Sequence, residues 1–144
     1  MTRSREKPEV TAAKKDLYDD ACALYERIKD EVRIPGDDGK ERPYVAARFR
    51  QKVERDHAAG LIIKSVSQII NRRTTGFDRL EAAGRPDLFL EILVVNQNKP
   101  YHGLFSTTLV QIARDRLTAY LSSNPQVSDE ALEAVSVALG TKQD

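Results

Sequence analysis

From Thr11 to Val32 the apolar residues Leu17, Ala21, Leu24, Ile28 and Val32 recur at steps of three and four, and Tyr18 and Tyr25 widen the stripe. Only an α-helix gathers such positions on one face, because a strand would divide them between its two sides. A helix of this length with one apolar side needs other elements to bury it, and the rest of the chain offers mainly further helices. Pro43 suits the first turn of a second helix, in which Val45, Phe49 and Val53 share an arc beside a stripe of Arg48, Lys52 and Arg55. That helix is predicted to fray at Ala58 to Gly60. A third runs from Leu61 to Asn71 with Ile62, Val66, Ile69 and Ile70 facing inward. Thr75 can cap a short helix holding Phe77 and Leu80, with Gly84 as its left-handed stop. Ser106 caps a helix that buries Leu109, Val110, Ala113, Leu117 and Leu121 and ends at Asn124-Pro125. Ser128 caps the last, with Leu132, Val135 and Leu139 on one face and Gly140 as its end.

Two segments break the pattern. Arg33 to Pro43 (RIPGDDGKERP) concentrates proline, glycine and adjacent aspartates and reads as an exposed loop over residues 33–43. Its Asp37-Asp38-Gly39 lacks the alternating oxygen ligands and closing Glu of a calcium loop, so it is a turn. In the run LFLEILVV, Leu88 to Val95, periodicity does not separate a buried helix from a buried strand. Ile92, Val94 and Val95 favour a strand, but no second strand-like run exists to pair with it, so a short buried helix capped by Asp87 is predicted.

These readings define an all-α fold: an irregular bundle of about six helices in a single domain spanning residues 11–140, with residues 1–10 and 141–144 disordered. A chain of 144 residues is long enough to enclose one continuous core. The expected core is Leu17, Leu24, Ile28, Phe49, Val53, Val66, Ile69, Phe77, Leu80, Leu93, Phe105, Leu109 and Leu117.

Chemistry is sparse. One cysteine, Cys22, and two histidines, His57 and His102, leave too few ligands for a zinc site of standard spacing, and neither metal nor cofactor is expected. No dinucleotide, P-loop or nucleophile-elbow string occurs. Cys22 reads as a small residue beside the core, with Asp19 and Asp20 as near neighbours, and His57 as a cation suited to a helix C-terminus. The charged first ten residues have no apolar stretch of a secretory signal, and Leu88 to Val95 is far shorter than the ~20 residues of a membrane span. A cytoplasmic protein that does not enter a membrane is expected.

The net charge of +1 hides an asymmetry: residues 42–73 hold eight bases against two acids, while both flanks are acidic. Arg48, Lys52 and Arg55 on one helix, and Lys64, Gln68, Asn71, Arg72 and Arg73 on the next, could present cations to phosphates and amides to base edges, with Gly60 as the turn between them. Arg55 and Asp56 stand where a compact helix-turn-helix prefers an apolar and a small residue, and the plainer reading is a solvated basic face. The leading expectation is a non-enzymatic adaptor or accessory protein acting through protein contacts, homo-oligomeric in its simplest form. The stripe Leu17, Tyr18, Leu24, Tyr25 and Ile28 is broad enough for both a core and a partner. DNA or RNA binding by the basic helices is the alternative. A third class is an enzyme binding a small anion at the loop of residues 96–102, through Asn98, Lys99, Tyr101 and His102.

The succession GFDRL (Gly76 to Leu80), GRPDLFLEILVV (Gly84 to Val95), GLF (Gly103 to Phe105) and ARDRL (Ala113 to Leu117) resembles a group of small, uncharacterised bacterial helical proteins. The resemblance covers roughly residues 44–121, with Phe89 standing where that pattern commonly has Thr. It implies a helical architecture, with motif positions serving as caps, core leucines and turn glycines, and Glu91 near a helix start. It implies no activity and carries over no site residues.

Overall fold

Pro8 opens the first helix, α1 (Pro8–Glu31), at a position where its missing N–H costs nothing. In this computed structural model, residues 6–72 and 75–140 are described, the side chains of 75–77 excepted. Residues 8–10, expected to be disordered, are therefore helical, and residues 1–5 and 141–144 lie outside the described chain. Along α1 the buried positions are Ala13, Leu17, Ala21, Leu24 and Ile28, the stripe that the periodicity predicts. Val32 leaves the helix in extended conformation while its N–H still reaches the Ile28 carbonyl.

The predicted loop of residues 33–43 is instead an antiparallel hairpin. Its strands β1 (Arg33–Pro35) and β2 (Glu41–Pro43) pair Arg33 with Pro43, Ile34 with Arg42 and Pro35 with Glu41. Gly39 adopts φ +78°, the Lys40 N–H bonds the Asp38 carboxylate at 3.1 Å, and Gly36 N–H reaches the Lys40 carbonyl at 2.8 Å. The turn chemistry closes the hairpin, but strands of three residues that include proline are too short to show an alternating pattern. Pro43 thus ends a strand rather than starting a helix. The Tyr44 N–H bonds the Val32 carbonyl at 2.9 Å, fixing the hairpin's exit against α1.

Six more helices follow: α2 (Ala47–Ala58), α3 (Ile62–Arg72), α4 (Thr75–Ala83), α5 (Glu91–Val95), α6 (Thr107–Ser123) and α7 (Asp129–Leu139). Seven α-helices and one small hairpin among the described residues make this an all-α single-domain bundle, as the sequence predicts, with one helix more than the approximate count. Ser106 and Ser128 cap α6 and α7 by accepting from the N–H groups of Leu109 and Ala131. Gly84 and Gly140 follow α4 and α7 at φ +72° and +74°, where an L-residue would be strained.

The run Leu88 to Val95 lies at the centre, as a 3-10 turn (Pro86–Leu88) leading into the single-turn helix α5, which packs against α1, α6 and α7. Leu88, Phe89, Val94 and Val95 are fully buried. The Phe89 ring meets Tyr120 edge-on at 5.1 Å between centroids. Asp87 does not cap α5. It is buried between Arg27, 3.3 Å away, and Arg85, whose Nε and Nη2 donate at 3.1 and 3.0 Å. Two guanidiniums offset the desolvation of a carboxylate better than a single-turn helix start can. Arg85 also reaches Glu31 at 2.6 Å, so this network ties the end of α1 to the entrance of α5.

Several predicted core positions sit elsewhere. Phe49, Ile69 and Leu93 are only partly buried, Val45 is 50% exposed, and the Phe77 side chain lies outside the described residues. Leu132 is 42% exposed because α7 turns Ala131, Val135, Ala138 and Leu139 inward, which keeps two of the three large side chains expected on that face and replaces Leu132 by Ala131. Tyr101, read from the sequence as a loop residue, is completely buried, with its hydroxyl donating to Asp20 of α1 at 2.7 Å and its ring edge-on to Phe105. Lys99 meets the same carboxylate at 3.0 Å. Burial and the Asp20 charge both push the Tyr101 hydroxyl far above its ordinary pKa, so it stays a donor. Tyr101→Phe is expected to cost about 1–2 kcal/mol, the worth of a hydrogen bond to a charge, and Tyr101→Ala about 3–5 kcal/mol. Urea denaturation with unchanged m-values checks both, and a Tyr101→Phe variant as stable as the parent would deny the hydroxyl a part.

Candidate functional site

Between the hairpin exit, α2, the end of α3, α4 and the entrance of α5 the bundle leaves a cavity of about 630 Å³. Its walls are mostly apolar: Leu24 and Ile28 of α1, Ile69 and Ile70 of α3, Leu80 of α4, and Leu88 and Leu90 before α5. Tyr44, Val45, Ala46, Ala47 and Phe49 form the side nearest the hairpin. The cavity exists because the hairpin displaces the start of α2. Three residues, 44–46, outside any helix or strand separate β2 from Ala47, and no side chain caps that helix start. Val45, expected to share an arc with Phe49 and Val53, lines the cavity and is half exposed.

Four cations and one carboxylate share these walls: Arg48, Lys52, Arg79, Arg116 and Glu91. They fall into two kinds. On the inner side, Glu91 is 2% exposed. Arg116 of α6 donates to it at 3.3 Å and also to the Ile70 carbonyl, joining α3, α5 and α6. Burial pushes the Glu91 carboxyl above its ordinary range, with the Arg116 charge opposing that shift. Lys52 is also occupied, donating to Asp56 and to the Gln68 amide oxygen, both at 3.1 Å. On the outer side, Arg48 and Arg79 are exposed. Arg79 lies over the Tyr44 ring, 5.5 Å from its centroid. Neither makes an ion pair among the described residues.

The predicted basic stripe is not one row. Arg48 and Lys52 face the cavity, while Arg55 turns to solvent and meets Asp56 at 3.2 Å. Asp56, misplaced for a helix-turn-helix, sits here as the anion that serves both Lys52 and Arg55. Lys64, Asn71 and Arg72 are exposed on α3, Gln68 is engaged by Lys52, and Arg73 lies outside the described residues. The α1 stripe is used within the molecule. Leu17, Leu24 and Ile28 are at most 6% exposed, so they belong to the core and offer a partner no surface, which corrects the expectation of a second role. Tyr18 stacks on His57 at 4.1 Å, and Tyr25 lies beneath Arg50 at 5.3 Å. His57 is in the last turn of α2, as predicted.

The loop of residues 96–102 is tied down rather than open. Asn96 accepts from the Asn98 N–H at 3.0 Å, Lys99 and Tyr101 share Asp20, and the His102 ring is 2.9 Å from the Val94 carbonyl. Of the groups proposed to hold an anion there, Lys99 and Tyr101 are thus engaged by Asp20 and one His102 ring nitrogen by the Val94 carbonyl. Cys22, read beside Asp19 and Asp20, faces Tyr18 and Arg50. The Tyr18 hydroxyl is pushed up chiefly by its hydrogen bond with the thiol.

Sequence reasoning missed Tyr44, Arg79, Glu91 and Arg116. Glu91 carried a signal, being the one charge inside an apolar run, whereas Arg79 and Arg116 look like any helix-surface arginine. Among the described residues no group of three or more His, Cys, Asp or Glu side chains could hold a metal ion. None of the helices described is long and apolar enough to cross a membrane. No protein-family profile, curated protein or solved structure matches this chain.

The Asp56 carboxyl is held below its ordinary range, first by the Lys52 hydrogen bond. A group whose folded pKa is depressed adds stability above its unfolded pKa, and loses it as pH falls through the folded value. Asp56→Asn is therefore expected to lower Tm at neutral pH, with the gap from the parent closing as pH falls below about 4. Parallel thermal melts across that range check the sign, since a pH-independent gap would mean that packing and not charge is lost.

Proposed function

We propose that this protein is a non-catalytic binding protein that takes a small, largely apolar molecule into the cavity between α2, α3, α4 and α5. The observation that carries this reading is the cavity itself. At about 630 Å³ it falls within the ~300–1,000 Å³ range of small-molecule sites, and like them it combines apolar walls with a few placed polar groups. Its polar groups do not compose a catalytic set. Glu91 is salt-bridged, Lys52 is occupied, and among the described lining residues there is no histidine, cysteine, serine or threonine to act as nucleophile or proton shuttle. An accessory role survives from the sequence reading, but it is exercised on a ligand rather than through the α1 stripe.

A neutral fluorescent naphthylamine, N-phenyl-1-naphthylamine, tests the reading without presupposing charge. The parent protein is expected to enhance its emission saturably. Ala47→Trp should abolish the enhancement while leaving the circular dichroism spectrum unchanged, because Ala47 is exposed yet lines the cavity. Saturable binding that Ala47→Trp leaves intact would place the probe elsewhere and overturn the proposal.

The basic helices have a different task under this reading. With Lys52 and Arg55 sharing Asp56, and Arg50 paired with Glu54, three of the bases on α2 are held within the molecule and do not stand as a row of free cations. Fluorescence anisotropy with mixed-sequence duplex at ~50 mM salt and tens of micromolar protein is expected to show no association, whereas non-specific DNA binders associate under such conditions. Binding that weakens steeply with salt would instead favour the nucleic-acid reading.

A further inference from the structure

The cavity's charges are distributed unevenly, and that distribution selects a ligand class. On the inner wall Arg116 is engaged by Glu91 and the Ile70 carbonyl, and Lys52 by Asp56 and Gln68. On the outer wall Arg48 of α2 and Arg79 of α4 have no carboxylate partner among the described residues. Their only recorded contact of this kind is the face of Tyr44 beneath Arg79. The ring fixes the guanidinium plane without neutralising it. The remaining lining among the described residues is aliphatic and aromatic, including Leu24, Ile28, Ile69, Leu80 and Leu88.

An apolar molecule alone would leave Arg48 and Arg79 as they are. A cationic amphiphile would meet two unpaired guanidiniums, and the one carboxylate among the described lining residues is already taken. A carboxylate head suits both arginines, because a planar guanidinium donates to it in bidentate fashion. Resting on the reading of the cavity as a small-molecule site, we propose that its ligand is an amphipathic monocarboxylate. The carboxylate is held at the rim by Arg48 and Arg79, and the hydrocarbon body runs inward along Leu80, Ile69 and Leu88 toward the Glu91–Arg116 pair. That pair closes the inner end and admits no second charge. The rim stays in contact with water, so the gain from the head is moderate and sensitive to salt.

The test compares three ligands that share one ten-carbon chain and differ only in the head: decanoate, decanol and decylamine. Each is titrated against the full chain, below its aggregation limit, by displacement of N-phenyl-1-naphthylamine and by calorimetry. Decanoate is expected to bind about tenfold more tightly than decanol, in keeping with a charge-assisted pair at a wet rim, with decylamine weakest. The double variant R48Q/R79Q should lose that advantage while binding decanol as the parent does, and its retained affinity for decanol shows that it is folded. Decanol or decylamine matching decanoate on the parent would overturn the carboxylate assignment and leave the cavity reading standing. A decanoate preference that survives in R48Q/R79Q would overturn the assignment of the head to these two arginines. Failure of the neutral probe and all three ligands to bind would overturn the cavity reading itself.

Discussion

An eight-residue run of apolar chain broken by a single glutamate has to be enclosed, and enclosing Leu88 to Val95 determines how everything else in this protein is arranged. The segment is too short to shield its own backbone, so it coils into one helical turn and takes its cover from α1, α6 and α7. Its two polar neighbours then have to be neutralised inside the bundle. Asp87 obtains Arg27 and Arg85, and Glu91 obtains Arg116. These pairs add little net stability once desolvation is charged against them. Removing one partner from a buried pair costs far more than forming the pair returns, so they act chiefly to hold the elements in one arrangement.

That arrangement explains both the presence and the character of the cavity. Arg116 is drawn to Glu91 and the Ile70 carbonyl, which brings the end of α3 close to α6. The hairpin, anchored by the Tyr44 to Val32 hydrogen bond, keeps the start of α2 from closing over the same space. The gap between them is lined by side chains that an ordinary helix-on-helix contact would have interlocked. Phe49 and Ile69, partly buried, are what remains of that contact.

The charged residues follow a similar logic. Two of the bases in the second quarter of the chain find an acid one helical turn away, Arg50 in Glu54 and Lys52 in Asp56. Pairs at this spacing are worth a few tenths of a kcal/mol each. They also remove charge from what looks, residue by residue, like a basic surface. Arg48 and Arg79 differ in making no ion pair among the described residues, and Arg79 lies over the Tyr44 ring instead.

Much of the fold was legible in the sequence. The stripe of α1, the serine caps of α6 and α7, and the glycine stops at Gly84 and Gly140 are local devices whose signals lie within a few residues of one another. Helical period and cap chemistry were therefore enough to specify an all-α bundle and most of its core. What the period could not report is which side of a helix meets which neighbour. Leu132 reads as inward because it is large, yet Ala131 is the residue that α7 buries. Tyr101 reads as a loop residue, yet its hydroxyl is matched by Asp20, 81 positions earlier in the chain. The candidate site is of this second kind throughout. Tyr44 with Arg48, then Arg79, Glu91 and Arg116 come from four separate stretches of chain, and only the packing of the helices brings them to one cavity. Local periodicity encodes what each segment becomes, whereas a site assembled from long-range contacts depends on how rigid segments fit together, which no single segment contains.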